Sequence, residues 1–298
     1  MMKVLVLQTL YNLSDEQMEY QIKDRLSFMR FLGLCLHERI PDAKTIWLYR
    51  ERLKGKKVMN KLFKSFDEQL KAKGYIAMEG QIVDASIVQA PRQRMTKDEK
   101  EDIKQGKAPE EWETNPHKKG QKDRDARWTV KYTKAKPRED GTKPVDLAIP
   151  SYGYKNHIGI DKRHGMIRTY EVTDAASHDG KHLPDLLDEE NTASGVWADT
   201  AYKSAANEAY MAQKGFTSHV HRKKLFRKEM PEVTKRANNK RSKIRAKVEH
   251  VFAHMKHHGK LFIRTIGLER AKVKIGLANL VYNMKRFIYW ELRMLQRG

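Results

Sequence analysis

The sequence predicts an α/β layer preceded by an all-helical segment. Three observations carry this. Apolar residues recur at helical spacing through residues 1–75. Short runs rich in β-branched residues then alternate with further helical patterns. Between the first such run and the rest, residues 91–150 are polar with little periodicity, which reads as a long insertion or a partly disordered arm after the first strand.

The elements follow in order. MMKVLVLQTLYN opens with an apolar run too short to span a bilayer. Ser14 is placed to cap a helix, with Asp15 and Glu16 in the first turn and Gln17 three residues on, the pattern of a capping box. Met18, Ile22, Leu26, Met29 and Leu32 carry it forward as one helix, weakened at Gly33. Pro41 and Asp42 punctuate a second helix over 45–53, and a third runs over 59–73, stopping before Gly74. QIVDASIV, residues 81–88, reads as a strand. GYKNHIGID and MIRTYEVTD flank the turn KRHG as a hairpin. A helix is expected over 178–190, a strand over 195–202, a helix over 207–214 and a short strand in TSHVH. A basic loop leads to a helix containing SKIRAKVEHVFAHMK, and LERAKVKIGLANLVYNMKRFIYWEL forms a last amphipathic helix. The chain divides into a helical domain, 1–75, and a second domain, 76–298, which holds the insertion.

Sixty Lys and Arg stand against 38 Asp and Glu, for a net charge of +22. Such an excess predicts a polyanionic partner, either nucleic acid or an anionic membrane. Residues 219–272 hold 17 basic and four acidic residues, whereas 91–150 hold 16 and 12. The phosphate-seeking surface is therefore expected in the last third. One cysteine, Cys35, excludes an intramolecular disulfide and suits a reducing compartment. No stretch approaches the roughly 20 apolar residues of a membrane helix. A soluble, bacterial-type cytoplasmic protein is the simplest expectation.

Within SKIRAKVEHVFAHMK, Ile244, Val248, Val251, Phe252 and Met255 share one helical stripe, which should pack on the sheet. Arg245, Glu249 and Lys256 fall on a second stripe along its edge, while His250, His254, His257 and His258 lie on the far side. A plain Arg245–Glu249 pair at i, i+4 would account for the carboxylate by itself. Asp84 interrupts an apolar strand, where aspartate is disfavoured, and Asp199 does so near the end of another. Each could be a cap or turn residue. Taken together, three carboxylates in a strongly basic chain suit Mg²⁺, a hard cation that prefers oxygen ligands. Two such ions about 3.5–4 Å apart can serve a phosphodiester displacement.

In these contexts Asp84, Asp199 and Glu249 resemble the DDE triad of insertion-sequence transposases, most nearly the insertion-sequence five family of the insertion-sequence four-like superfamily. The matching pieces are VDASIVQAP, YGYKNHIGIDKRHGMI, VTDAASHD, WADTAY, NKRSKIRAKVEHVFAHMK, RTIGLERAKVKIGLANLVYNMKR and LYNLSDEQMEYQIKDRLSFMRFLGL, in that family's order and over nearly the whole chain. Arg245, Glu249 and Lys256 fit the spacing of the family's signature around its last acid, but Ser242 stands where the family has tyrosine. Family members commonly carry more residues before MMKVLVLQ, which implies a shortened start here. The resemblance implies a ribonuclease H-like fold, a mixed sheet flanked by helices, with Asp84 on the first strand, Asp199 at the end of the fourth and Glu249 on the following long helix.

The implied activity is Mg²⁺-dependent cleavage at the ends of the element and strand transfer of the freed 3′-OH to target DNA. Two Mg²⁺ ions, with Mn²⁺ as a substitute, would be held by Asp84, Asp199 and Glu249. Arg245 and Lys256 would hold phosphates beside them, and the clusters containing Lys223, Lys224, Arg241 and Lys243 would bind flanking double-stranded DNA. Joining two ends implies a homo-oligomer on DNA, associated with the nucleoid. The rival reading is a catalytically inactive or truncated transposase acting as a DNA-binding regulator. Zinc on His250 and His254 is disfavoured, because the zinc-protease pattern needs Glu where Val251 stands. His178, Asp179 and His182 are read as a helix cap, with a supporting role near the metal site as the alternative. Lys155 and His157 either face the cleft or form an exposed strand face; exposure is the simpler expectation. Trp197 is expected in the core, with base stacking as the alternative. The first helices could read DNA or dimerise.

Overall fold

The computed structural model describes residues 1–55, 58–133, 145–224, 229–257 and 259–296. His258, residues 225–228 of the basic loop and residues 134–144 of the polar insertion lie outside them.

The first helix, α1 (Met2–Tyr11), has no polar face and buries Val4 to Leu7, so the apolar opening run is a core helix. It ends at Asn12, which adopts the left-handed conformation that asparagine tolerates. In α2 (Asp15–Asp24) the capping box forms: Gln17 N donates to Ser14 Oγ, and Ser14 N donates to Gln17 Oε1. The expected single helix is broken. Arg25 is extended, and α3 (Leu26–Leu32) restarts the pattern at a new angle that buries Phe28 as well as Met29. Asp42 caps α4 (Ala43–Arg52) by accepting from Thr45 N at 2.7 Å. α5 (Val58–Ala72) follows, and Gly74 takes up a φ of 86° just after it.

β1 (Gln81–Gln89) leads into the insertion, which is more ordered than its composition suggests. α6 (Lys97–Lys104) has its own capping box from Thr96 and Glu99. α7 (Glu110–Thr114) and α8 (Pro116–Gln121) follow. Trp112 is fully buried and donates from Nε1 to Glu99 Oε1 at 2.7 Å, so one aromatic organises a local core. β2 (Arg127–Tyr132) then pairs with the start of β3 (Ala148–Asp161), and β3 and β4 (Ile167–Asp174) form the expected hairpin.

The expected helix over 178–190 is reduced to a 3₁₀ turn, Asp179–His182, and the single turn α9 (Leu183–Leu186). Pro184 cannot continue a helix begun upstream, since it lacks the N–H and clashes with the preceding turn. β5 (Gly195–Trp197) is shorter than expected because Asp199 Oδ1 accepts from Ala201 N and starts a 3₁₀ turn, Thr200–Tyr202. α10 (Ala205–Gln213) and β6 (Thr217–Ser218) complete the sheet, and TSHVH is a strand in its first two residues alone. α11 (Glu232–His257) and α12 (Leu268–Leu295) cover it.

The sheet runs β2-β3-β1-β5-β6, with β4 pairing β3. β1 and β3 pair antiparallel through nine positions, from Gln81↔Asp161 to Gln89↔Gly153. β2 and β4 divide the other edge of β3, while β5 and β6 continue parallel beyond β1. At Gly153 a Cβ would lie 2.3 Å from the carbonyl oxygen of Val88, so only glycine admits that approach. On one face of the sheet, Val248, Val251, Phe252 and Met255 pack on Ile82, Ile158 and Ile160, as the helical stripe requires. On the other face Val83 packs on Leu183, Leu186 and Tyr202. The side chains of Asn156 on β3 and Asn279 on α12 exchange hydrogen bonds of 2.8 and 3.2 Å, so neither buried amide is left unpaired. The first helices share a core with α12: Leu5, Met18, Ile22 and Ile46 pack with Val273 and Leu277. Among the described residues no helix is long and apolar enough to cross a membrane.

Candidate active site

Asp84 sits in mid-β1, opposite Ile158, with its side chain 15% exposed. Its neighbours on the strand force the carboxylate to stay: Ile82 and Val83 are fully buried on opposite faces. Oδ1 accepts from Ala85 N at 2.8 Å. Arg245 Nε stands 3.7 Å from Oδ2, which is an ion pair and too long for a hydrogen bond. Burial pushes the Asp84 carboxyl up from 3.8 to about 6; Arg245 and the Ala85 amide pull it down, and the charges of Asp199 and Asp179 push it up again. Asp84 is thus a buried carboxylate whose charge is incompletely compensated.

Arg245 lies one turn before Glu249 on α11 and donates from Nη2 to Glu249 Oε1 at 3.2 Å. One guanidinium therefore touches the strand carboxylate and the helix carboxylate. The Glu249 side chain is 63% exposed, so it is turned outward onto the arginine. Lys256 is exposed on the same helix edge, and its stem lines a small cavity with Ser86 and Asn156. Asp199 caps the turn after β5. Among the described residues, no three His, Cys, Asp or Glu side chains are close enough together to hold one ion. Arg245 is paired with both Asp84 and Glu249.

The basic residues expected to bind DNA divide into two sets. Lys223, Lys224 and Lys243 are exposed. Arg241 donates from Nη1 to the Val220 carbonyl at 3.2 Å and to Asn238 Oδ1 at 3.3 Å, so part of its guanidinium ties the loop before α11 to the helix. Ser242, in the place of the signature tyrosine, lies 3.5 Å from His221 Nε2.

Two groups near the carboxylates, Tyr202 and His221, were not singled out from sequence as site residues, and a third, Asp179, was read there as a helix cap with a supporting role near the metal site as the alternative. The Tyr202 ring is fully buried, and its hydroxyl has no hydrogen-bond partner among the described residues. Burial and the charges of Asp84, Asp179 and Asp199 hold that phenol in its protonated form. His221 lies between Arg245, Arg241 and Asp199, and burial together with the two arginines lowers its pKa. Asp179 pairs with Lys155 Nζ at 2.8 Å and lies 3.9 Å from His157 Nδ1. Lys155 and His157 therefore point inward; His157 is fully buried, which corrects the exposed-face expectation. Burial drives its imidazole towards the neutral form, as does His182, whose ring centroid is 4.6 Å away. Trp197 is buried and stacks on His219 at 4.6 Å, as a core residue. His250 is exposed and the His254 ring packs edge-on to Tyr282.

Two family models match the chain. The transposase DDE domain matches residues 76–284, and a transposase domain (DUF772) matches residues 1–52. The chain belongs to the DDE transposase family. No solved structure matches it. In this transposase the first matched segment spans α1 to α4, and the second spans every strand of the sheet, α11 and α12 as far as Met284. The transposase also has the donor chemistry that a hard divalent cation needs. Asp84 is a buried oxygen donor short of positive charge, Asp199 carries a second carboxylate, and Glu249 is exposed and tethered only to Arg245.

Proposed function

We propose that this transposase cuts DNA at the terminal inverted repeats of its own insertion sequence and joins the freed 3′-OH ends to target DNA. It does so as a member of the insertion-sequence five group, with a helical DNA-binding or dimerisation domain at 1–75 and a ribonuclease H-like catalytic domain at 76–298. The observation that carries the reading is Arg245, whose one guanidinium reaches both Asp84 and Glu249 while Asp199 lies within electrostatic reach of Asp84. The strand pattern supports it: β4-β3-β1 are antiparallel and β5 and β6 run parallel to β1. With the inserted β2 set aside, Asp84 is on the first strand, Asp199 follows the fourth, and Glu249 is on the long helix after them.

Asp84, Asp199 and Glu249 would hold two Mg²⁺ ions, or Mn²⁺ in their place. When bound, such a pair stabilises charge on the attacking and leaving oxygens of an in-line displacement. The chain's own residues do the rest. Glu249 rotates inward from Arg245 to join Asp84 and Asp199. Arg245, released from both carboxylates, turns to a backbone phosphate, and Lys256 holds a second on the same helix edge. Lys223, Lys224 and Lys243, with the free donors of Arg241, grip flanking backbone and set register without reading bases. Tyr202, protonated and unpartnered, donates within the carboxylate cluster. Two element ends must be held together, so the working form is a homo-oligomer on double-stranded DNA, in the nucleoid of a bacterial cytoplasm.

Purified full-length protein with Mg²⁺ and duplexes carrying the inverted repeats that flank its gene tests this. Wild type cuts the repeats. Asp84→Asn, Asp199→Asn and Glu249→Gln each bind them without cutting. A wild type that binds the repeats and never cuts them in Mg²⁺ or Mn²⁺ sinks the enzyme and leaves a DNA-binding regulator.

A further inference from the structure

A cleft of about 190 Å³ opens where α1, α2 and α4 meet α12, and none of Asp84, Asp199 and Glu249 lines it. Two of the three acidic residues in its lining, Asp15 and Glu51, are already engaged, and the third, Glu16, is exposed. Asp15 accepts two hydrogen bonds from Arg50, at 2.6 and 2.7 Å. Glu51 accepts two from Arg270, at 2.8 and 2.9 Å, and also pairs with Lys54.

Two cations in the same lining are not engaged in this way. Lys274, on α12, and Arg264, in the segment before it, have no ion-pair partner among the described residues. Arg264 reaches only Asn12 Oδ1, at 3.4 Å. The ammonium of Lys274 is pushed down from 10.5 to about 8, first by burial and then by the positive charges of Arg50 and Arg264, against a smaller upward pull from the Asp15 carboxylate. Beside them Thr265 Oγ1, also in the lining, is buried without a hydrogen-bond partner among the described residues. A buried hydroxyl and a partly buried ammonium are costly when left unpaired, and Lys274 and Thr265 share a cleft whose exposed Arg264 adds further positive charge, so the site favours an acceptor with negative charge. The floor is apolar, formed by Leu13, Val273 and Leu277.

We infer that this cleft binds a phosphoryl group, with Lys274 and Arg264 as its cationic ligands and Thr265 Oγ1 as a hydroxyl donor. Its size favours that class. It is smaller than the roughly 300 Å³ at which sites for drug-sized ligands begin. It has room for a phosphate and a small organic part against the apolar floor. The phosphoryl group comes either from a DNA backbone passing over the cleft or from a free nucleotide. In both cases the ligand joins α12 to the first helices, because its contacts come from the segment matched by the DDE domain and its walls from residues 1–52.

The test uses the full chain in phosphate-free buffer, with inorganic pyrophosphate and a non-specific DNA duplex as probes. Pyrophosphate raises the unfolding temperature of wild type. The rise is lost in Lys274→Met, which keeps the stem and removes the charge, and is reduced in Arg264→Gln. It is retained in Lys272→Met, a control on the same helix whose lysine is exposed and paired with Glu269 at 2.9 Å. If DNA is the source, Lys274→Met also weakens duplex binding severalfold and lowers its salt slope by about one. If a free nucleotide is the source, duplex binding is unchanged and only the pyrophosphate effect disappears. Equal pyrophosphate protection of wild type and Lys274→Met, or protection of neither, overturns the assignment. Neither result bears on whether Asp84, Asp199 and Glu249 cut DNA.

Discussion

Arg245 Nε stands 3.7 Å from Asp84 Oδ2 and has no hydrogen-bond partner, so the helix arginine supplies charge to the strand carboxylate without a directed bond. The pair is mostly shielded, with the two side chains 20% and 15% exposed. Its removal should therefore cost more than a surface pair and less than a fully buried one. Arg245→Gln is expected to destabilise the metal-free protein by about 1–3 kcal/mol at neutral pH. Urea unfolding checks this, and the cost should shrink in an Asp84→Asn background. An equal cost in both backgrounds would show that the arginine acts elsewhere.

Asp84 itself predicts a pH dependence. Its folded pKa of about 6 lies above 3.8, so between these values the folded state binds more protons than the unfolded state. Stability therefore falls as pH rises through that window, and at neutral pH the ionised group costs at most about 3 kcal/mol. Asp84→Asn, assayed in chelator, should raise the unfolding midpoint at pH 7 and flatten the decline between pH 4 and 6. A variant less stable than wild type at pH 7 would contradict the assigned burial.

Lys274 predicts the opposite slope. Its folded pKa of about 8 lies below 10.5, so in that window the folded state has lost a proton that the unfolded state keeps. Stability should climb as pH rises through it, and the charged form costs at most about 3 kcal/mol at pH 7. Lys274→Met should be more stable than wild type at pH 7, with the gap closing by pH 10. Denaturant unfolding at the two pH values decides it.

Arg168 is a structural contrast. Its side chain is 2% exposed and joins three elements: Nη1 donates to Asp67 at 2.7 Å, Nε to Asp161 at 3.1 Å, and Nη2 to the Tyr75 carbonyl at 2.7 Å. Arg168→Met leaves the fully buried Asp161 without its cation, and breaking such a pair costs about 3–5 kcal/mol. Chemical denaturation should show this loss. Duplex binding below the unfolding transition should not change, since Arg168 touches neither the carboxylate cleft nor the basic loop.

Local rules made much of this legible. The caps at Ser14 and Asp42 formed as side-chain chemistry requires, and the stripe from Ile244 to Met255 is the face that packs. What failed depended on tertiary context. α1 has no polar face because helices cover it, so it offers no periodicity to read. The helices after β1 were missed because one residue, Trp112, supplies most of their core, although Thr96 and Glu99 carried a capping signal. Lys155 and His157 alternate along a strand covered on both faces, so alternation alone could not assign them to solvent. Tyr202 comes near the carboxylates through a 3₁₀ turn, which no hydrophobic period marks. Asp84, Asp199 and Glu249 were singled out by their strand and helix contexts and by the family resemblance, but the outward turn of Glu249 onto Arg245 is a side-chain choice that these do not encode.

The length of α11 has a mechanical result. At about 1.5 Å per residue its 26 residues extend roughly 39 Å, yet its buried side chains begin only at Val248. The preceding half is moored instead by polar contacts, Asn238 to the Arg222 carbonyl and Arg241 to the Val220 carbonyl. A strain applied to its basic end would therefore have to break these contacts before it reached the packed turns that carry Glu249.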